Sequence, residues 1–474
     1  MRKNWYHTNM NEIKLFNSLT KKLETFKPIN EDTVSMYLCG PTVYDYVTIG
    51  NFRTYTLGDI SHRIFKLNGY KINYIMNLTD VGHLTGDNKG DADTGSDRLE
   101  DAAEKEGKSA REIADYYIND FFKGYKRLNL LKPTKFTRAT DYISEQIELV
   151  RVLEKRGFTY RTSDGIYFNT AKFPKYGELS GFTAESIKEG ARVEPNPEKI
   201  NPTDFALWKF SPRDKIRWQE WDSPWGKGFP GWHIECSAMS MKELGATLDI
   251  HLGGEDLRMI HHQNEIAQSE CASGQNFVNY WLHGAFLLVD GGRMGKSLGN
   301  AYTMFDIEER GFDPLALRYF YLMAHYRTKL NFTWDALGHA QNALKRIYDL
   351  TSTYSENENA VVNDKYYEKF LSAVNNDFNM PEALAVLWDL LQSDVLEASK
   401  VKTLLKFDEV LGLDIENYVG FEIPQDVVNK ARARQEYRKN GIWDKADMIR
   451  RELSDLGYVV EDKDSDFKIK RKIS

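Results

Sequence analysis

The chain has 474 residues, 41% of them hydrophobic and 28% charged, with a formal net charge of −7. That length exceeds a single core and predicts about two to four domains. The acidic balance excludes a global positive field that would gather nucleic acid, so any RNA contact must come from local basic patches.

The three cysteines, Cys39, Cys236 and Cys271, are too few and too scattered for a disulfide framework. The first 14 residues lack the apolar core of a signal peptide, and Met10 is an alternative start. No stretch reaches the about 18 uncharged apolar residues of a membrane span. The expectation is a cytoplasmic, monomeric protein without a membrane partner.

Taken in chain order, the apolar run VSMYL at 34–38 predicts a buried strand that turns at Cys39-Gly40-Pro41. After Thr48-Ile49-Gly50-Asn51, the spacing of Tyr55, Ile60, Ile64 and Leu67 predicts a helix. INYIMNL at 72–78 predicts a second strand ending at Thr79-Asp80. This is a βαβ unit, and it predicts an α/β fold with a parallel, Rossmann-type sheet whose ligands sit at the carboxyl ends of the strands.

Residues 86–96, rich in Gly and Asp, read as a mobile loop, and residues 159–212 read as an insertion of short strands and turns. Further core strands are expected at 249–254 and 281–288. Beyond Pro314 the chain reads as helical, over 335–354, 366–376, 381–397 and 426–456, with few strand formers.

Several groups could carry chemistry. His261 and Glu265 lie four apart, so a helix places them on one face. With Cys39 and Cys236 they make a thiolate, imidazole and carboxylate set suited to zinc. By spacing alone they read rather as two buried structural thiols and an ordinary helix-face pair. Thr48–Asn51 opens a helix directly after a strand, a place that favours phosphate, with Gly50 allowing close approach; a plain turn fits as well. Residues 291–300, GGRMGKSLGN, form a Gly-rich cationic loop without Walker spacing. The aromatic stretch around Trp232, His233 and Cys236 could line a pocket or simply pack in the core. Lys430–Arg451 interleaves cations with Tyr437 and Trp443 and suits RNA, or a solvated face.

Taken together, these blocks resemble one family, cysteinyl-tRNA synthetase, a class I aminoacyl-tRNA synthetase. The resemblance runs from about residue 13 to the C-terminus and rests on MYLCGPTVYDYVTIGNFRTY, NPTDFALWK, SPWGKGFPGWHIECSAM, HHQNEIAQSE, GRMGKSLGN and GFDPLALRYFYLMAHYRTKLNFTW in that order. It implies activation of L-cysteine with ATP and Mg2+, then transfer to tRNA(Cys). It implies one zinc ion held by Cys39, Cys236, His261 and Glu265. Thr48, Ile49, Gly50 and Asn51 stand for the HIGH motif. Arg293, Met294, Gly295, Lys296 and Ser297 stand for KMSKS, with Lys296 on the ATP phosphates. Thr79 and Trp232 would lie near the amino acid.

The implied domains are a first catalytic half at 1–120, an inserted region at 121–225 and a second catalytic half at 226–312. A helical tRNA-binding domain at 313–415 and a small basic segment at 416–474 follow. Two departures stand out. Thr48 and Asn51 replace the two His of HIGH, a TIGN form that other class I synthetases use, and Gly295 replaces the first Ser of KMSKS. They predict slower adenylation than in a HIGH/KMSKS enzyme. Two rivals remain at this level: a cysteine:amino-sugar ligase of the mycothiol type and a non-catalytic tRNA-binding paralogue.

Overall fold

The computed structural model describes residues 12–82, 84–86, 93–181, 196–212, 217–354, 357, 359–420, 423–463 and 466–471. The alternative start at Met10 and residues 87–92 of the Gly- and Asp-rich loop lie outside these. The chain divides into two compact units, one made of Met1–Thr303, Ala324–Asn331 and Ser372–Met380, the other of Met304–Met323, Phe332–Leu371 and Pro381–Ser474.

The first unit opens with a hairpin, β1 (Lys14–Asn17) and β2 (Lys22–Thr25), followed by β3 (Thr33–Leu38), α1 (Ile49–Leu67) and β4 (Lys71–Leu78). Helices α2 (Arg98–Glu106) and α3 (Ala110–Arg127), strand β5 (Lys135–Arg138) and helix α4 (Ile143–Lys155) complete the first half of the core. An antiparallel sheet then interrupts: β6 (Thr159–Arg161), β7 (Gly165–Phe168), β8 (Phe205–Phe210) and β9 (Gly228–Pro230). Gly228 fits its last strand because a Cβ there would lie 2.0 Å from the Lys209 carbonyl oxygen. Residues 182–195 and 213–216 of the expected insertion lie outside the described residues.

The core resumes with α5 (Trp232–Leu244), β10 (Leu248–Gly254), α6 (His261–Ser273) and β11 (Val278–Gly284). The main sheet has the order β11-β10-β3-β4-β5, and every neighbouring pair is parallel. Met36, Leu38, Ile250, Leu252 and Leu282 are wholly buried, as parallel strands covered on both faces require. From β3 the chain builds outward through β4 and β5, then returns to the other side of β3 with β10 and β11. The switch point therefore lies between β3 and β10, where Cys39 follows β3 and Gly254 ends β10.

The strand expected over 281–288 is divided. Strand β11 stops at Gly284 and β12 (Leu287–Val289) begins a separate pairing with β13 (Gly292–Arg293). The break has a cause in the backbone: Ala285 N–H donates to the Tyr326 carbonyl and Phe286 N–H to Glu255 Oε1, so neither continues the parallel ladder.

The second unit is mainly helical, with α7 (Met304–Glu309), α8 (Pro314–Leu322), α9 (Trp334–Thr351), α10 (Asp364–Asn375), α11 (Met380–Gln392) and α12 (Glu397–Leu411). Asp313 caps α8 through the Leu315 N–H with Pro314 just inside, the usual start signal. The final segment holds α13 (Gln425–Lys439) and α14 (Trp443–Asp455). An antiparallel hairpin, β14 (Tyr458–Lys463) and β15 (Asp466–Arg471), closes it. The helical reading of the C-terminus did not include this hairpin. Its strands alternate, and Val460 and Ile469 pack with Val427, Ala431, Ile449 and Leu453 in a small core of their own.

Candidate active site

Four side chains predicted from the sequence converge at the switch point. Cys39 leaves the end of β3, Cys236 sits in the first half of α5, and His261 and Glu265 lie one turn apart on α6. Their ligand atoms all fall within 4.8 Å of one another. Cys39 Sγ lies 3.8 Å from Cys236 Sγ and 3.6 Å from Glu265 Oε1, while His261 Nε2 is 3.0 Å from Glu265 Oε1. All four are buried.

A second set, Cys39, His251, His262 and Glu265, is equally compact. Chemistry separates the two. The first joins two thiols with an imidazole and a carboxylate; the second offers one thiol and two imidazoles with the same carboxylate. His261 and His262 are held alike from behind, His261 Nδ1 2.9 Å from His233 Nδ1 and His262 Nδ1 2.8 Å from His283 Nε2. Burial pushes the His251 imidazole down to about 4, and burial likewise drives His262 well below its ordinary range. These two rings are neutral, the form a metal binds, so their charge does not decide between the sets; the second thiol of the first set does. His261 behaves oppositely: burial lowers it, but Cys236 and Glu265 outweigh that and hold it up at about 10. Burial raises the Cys236 thiol, yet the hydrogen bond from Cys39 and the His261 charge bring it down to about 7. Glu265 Oε2 is buried with no hydrogen-bond partner among the described residues. Such an acceptor costs about 1–3 kcal/mol when left unsatisfied, and a divalent cation would satisfy it. The first set fits zinc.

Beside this cluster opens a cleft of about 240 Å³. Of the predicted residues, Cys39, Thr48, Asn51, Trp232 and Lys296 line it. Trp232 bridges cleft and cluster, its ring centroid 4.4 Å from that of His261. Thr79 does not line the cleft. It is buried behind the Cys39-Gly40-Pro41 turn, where Thr79 N–H donates to the Pro41 carbonyl and Thr79 Oγ1 accepts from Asn77 Nδ2 at 3.0 Å.

The phosphate-type end is built differently. Thr48 is the N-cap of α1, and it forms a reciprocal capping box with Asn51. Thr48 Oγ1 donates to Asn51 Oδ1 at 2.7 Å and accepts from Asn51 N–H at 3.3 Å. The hydroxyl expected to meet phosphate is therefore engaged within the helix start. Ile49 N–H donates to the Tyr302 carbonyl. Gly50 serves the opposing loop: a Cβ there would lie 3.2 Å from Met294 Sδ. In that loop Asn300 accepts from Gly295 N–H and donates to the Arg293 carbonyl, folding the segment back on itself. Arg293 is exposed, Lys296 starts a short 3-10 turn, and the Ser297 side chain lies outside the described set. Tyr44, Asp45 and Asp256 also line the cleft and were missed in the sequence. Asp256 had a usable signal, since it follows β10 by two residues at the carboxyl end of the sheet.

Comparison with known proteins adds a separate line. Residues 25–342 match the family described as tRNA synthetases class I (C) catalytic domain. Residues 431–467 match the cysteinyl-tRNA ligase anticodon binding domain. The chain is 45% identical to cysteine–tRNA ligase 1 of Burkholderia lata, over 95% of both chains. The chain belongs to the cysteine–tRNA ligase family. Further members are the cysteine–tRNA ligases of Treponema denticola, 39% identical over 95% of this chain and 98% of that one, and of Methanococcus maripaludis, 38% identical over 98% and 100%. Mycobacterium tuberculosis methionyl-tRNA synthetase, solved in complex with methionyl-adenylate, shares the fold at a TM-score of 0.55 and 15% identity, covering 82% of this chain and 91% of that one. The parallel α/β sheet expected from the βαβ unit is observed, and the class I architecture that the resemblance implied is the one found.

Proposed function

We propose that the protein activates L-cysteine with ATP and Mg2+ and transfers it to the 3′ end of tRNA(Cys). One observation carries the reading. A single cleft at the sheet's switch point is lined by Cys39 and Trp232 and also by Thr48, Asn51 and Lys296. A thiol-selecting set thus borders the same space as the ATP-type motifs.

Cys39, Cys236, His261 and Glu265 would hold one zinc ion. When bound, the metal supplies a soft partner that prefers a thiolate to a serine hydroxyl. Size alone separates such near-isosteres by only about 10- to 200-fold. Cys39 and Trp232 place the substrate's side chain against the cluster. Its carboxylate then attacks the ATP α-phosphate, releasing pyrophosphate, and a tRNA terminal hydroxyl displaces AMP. No protein nucleophile is needed, so the chain acts by positioning and by charge. Lys296 and Arg293 supply positive charge to the phosphates, and the Thr48–Asn51 capping box fixes the helix start beneath them. Thr79 acts from behind by fixing the Pro41 turn. The catalytic halves at 1–120 and 226–312 flank the insert at 121–225, and the segments at 313–415 and 416–474 read the tRNA. We propose the monomer as the working form.

The test is cysteine-dependent ATP–pyrophosphate exchange together with charging of tRNA(Cys) by radiolabelled cysteine, on protein assayed for zinc. Both activities, with about one zinc per chain and serine inert, are expected. Exchange without tRNA charging would move the reading to an amino-sugar ligase, although the match over 431–467 supports tRNA. Neither activity would leave a binding paralogue.

A further inference from the structure

The loop lysine is not idle. Lys296 Nζ lies 2.7 Å from Asp45 Oδ2 and 4.8 Å above the Tyr44 ring. Asp45 and Tyr44 belong to the turn that precedes α1, and both line the cleft with Lys296. Met294 of the same loop lies over the same helix start, its Sδ 3.2 Å from where a Cβ on Gly50 would stand. Two exposed elements are therefore pinned together across the space that ATP must enter. The ligand's polyanion and the Asp45 carboxylate compete for one ammonium group.

We propose that Asp45 is a positioning residue for ATP, a latch that holds Lys296 over Tyr44 until the phosphates displace it. The inference rests on the assignment of this cleft to ATP. Asp45 touches no reacting atom in this scheme; it acts through Lys296. The pair is half-open to solvent, with side-chain exposures of 48% for Lys296 and 39% for Asp45. Exposed pairs of this kind shift an equilibrium by about 1.5- to 5-fold, and salt screens them. The latch therefore weakens ATP binding modestly and steers the loop rather than blocking the site.

Replacing Asp45 by Asn tests this, because Asn keeps an acceptor for the Tyr46 N–H that Asp45 Oδ1 now binds at 2.7 Å. Equilibrium binding of α,β-methylene-ATP, an unreactive probe, is measured for wild type, Asp45→Asn, Lys296→Met and the double variant. Asp45→Asn alone is expected to bind about 2- to 5-fold more tightly at low salt, with the gain shrinking at high salt. In the Lys296→Met background the same change is expected to do nothing. An equal gain in both backgrounds would mean plain repulsion of ATP by a carboxylate and would overturn the latch. Weaker binding by Asp45→Asn would make Asp45 a ligand group and would overturn it too. In exchange assays loss of the latch in Asp45→Asn is expected to lower KM for ATP by about 2- to 5-fold at low salt, whereas a structural defect would lower kcat instead. Failure of wild type to bind the probe at all would strike the ATP assignment itself, which separates the two claims.

Discussion

The two ends of the cleft are built on opposite principles. At the thiol end, Cys236 is 1% exposed and Glu265 fully buried, and the groups are placed by a strand end and two core helices. At the phosphate end, Lys296 and Asp45 are half-open to solvent, and the lysine rides on a loop folded around Asn300. Under the proposed function, discrimination between a thiol and a hydroxyl would need donors that cannot relax, which a core site supplies. Phosphate contacts would have to form and break in every turnover, which suits a loop that can exchange partners.

This contrast sets an order of sensitivities. The largest effect belongs to the buried end: Cys236→Ala is expected to abolish stoichiometric zinc by metal analysis and to lower cysteine-dependent exchange about 100- to 1,000-fold, the consequence of breaking a buried charge set. Full activity without zinc would erase the distinction between the ends. Next is Lys296→Met, for which a loss of about 100-fold in kcat is expected with the zinc content and thermal midpoint unchanged, because the side chain is exposed. Thr48→Ala removes the capping hydroxyl of α1 and should destabilise the protein by about 1 kcal/mol in urea titration, with exchange falling by no more than about threefold because the protein stays folded. An exchange loss as large as that of Lys296→Met would assign Thr48 to the chemistry instead. Least of all is Cys271, which burial pushes up to about 12 and which lies outside the cluster. Cys271→Ala should keep exchange within about twofold, and the native thiol should resist iodoacetamide at pH 8.

Much of the buried end was legible in the sequence, because its logic is periodic. The 3.6-residue repeat puts His261 over Glu265, and continuous apolar runs such as VSMYL and DIHLGG mark strands whose ends must converge at a switch point. What periodicity could not do was choose among alternatives: Cys39 and Cys236 are far apart in sequence, and only the resemblance tied them to α6. The exposed end was less legible. Asp45 and Tyr44 sit in a turn without a repeating pattern, and their meeting with Lys296 is a long-range contact that no local rule predicts. TIGN illustrates a different limit. Read as a motif it speaks of phosphate; read as helix chemistry it is a capping box, and the structure shows the second use. The C-terminal hairpin escaped because a segment as charged as VEDKDSDFKIK hides two inward residues, Val460 and Ile469, in polar alternation.

One feature of the cluster reaches past catalysis. Cys39 comes from the first half of the interrupted sheet, while Cys236, His261 and Glu265 come from the second, and Cys39 and Cys236 are 197 residues apart in the chain. A ribosome finishes the first half and the insert before the other three ligands emerge. An ion that needs all four groups could be captured only after β10 has docked beside β3. Metal uptake would then report that the sheet has closed, making zinc supply a checkpoint on assembly as well as on substrate choice.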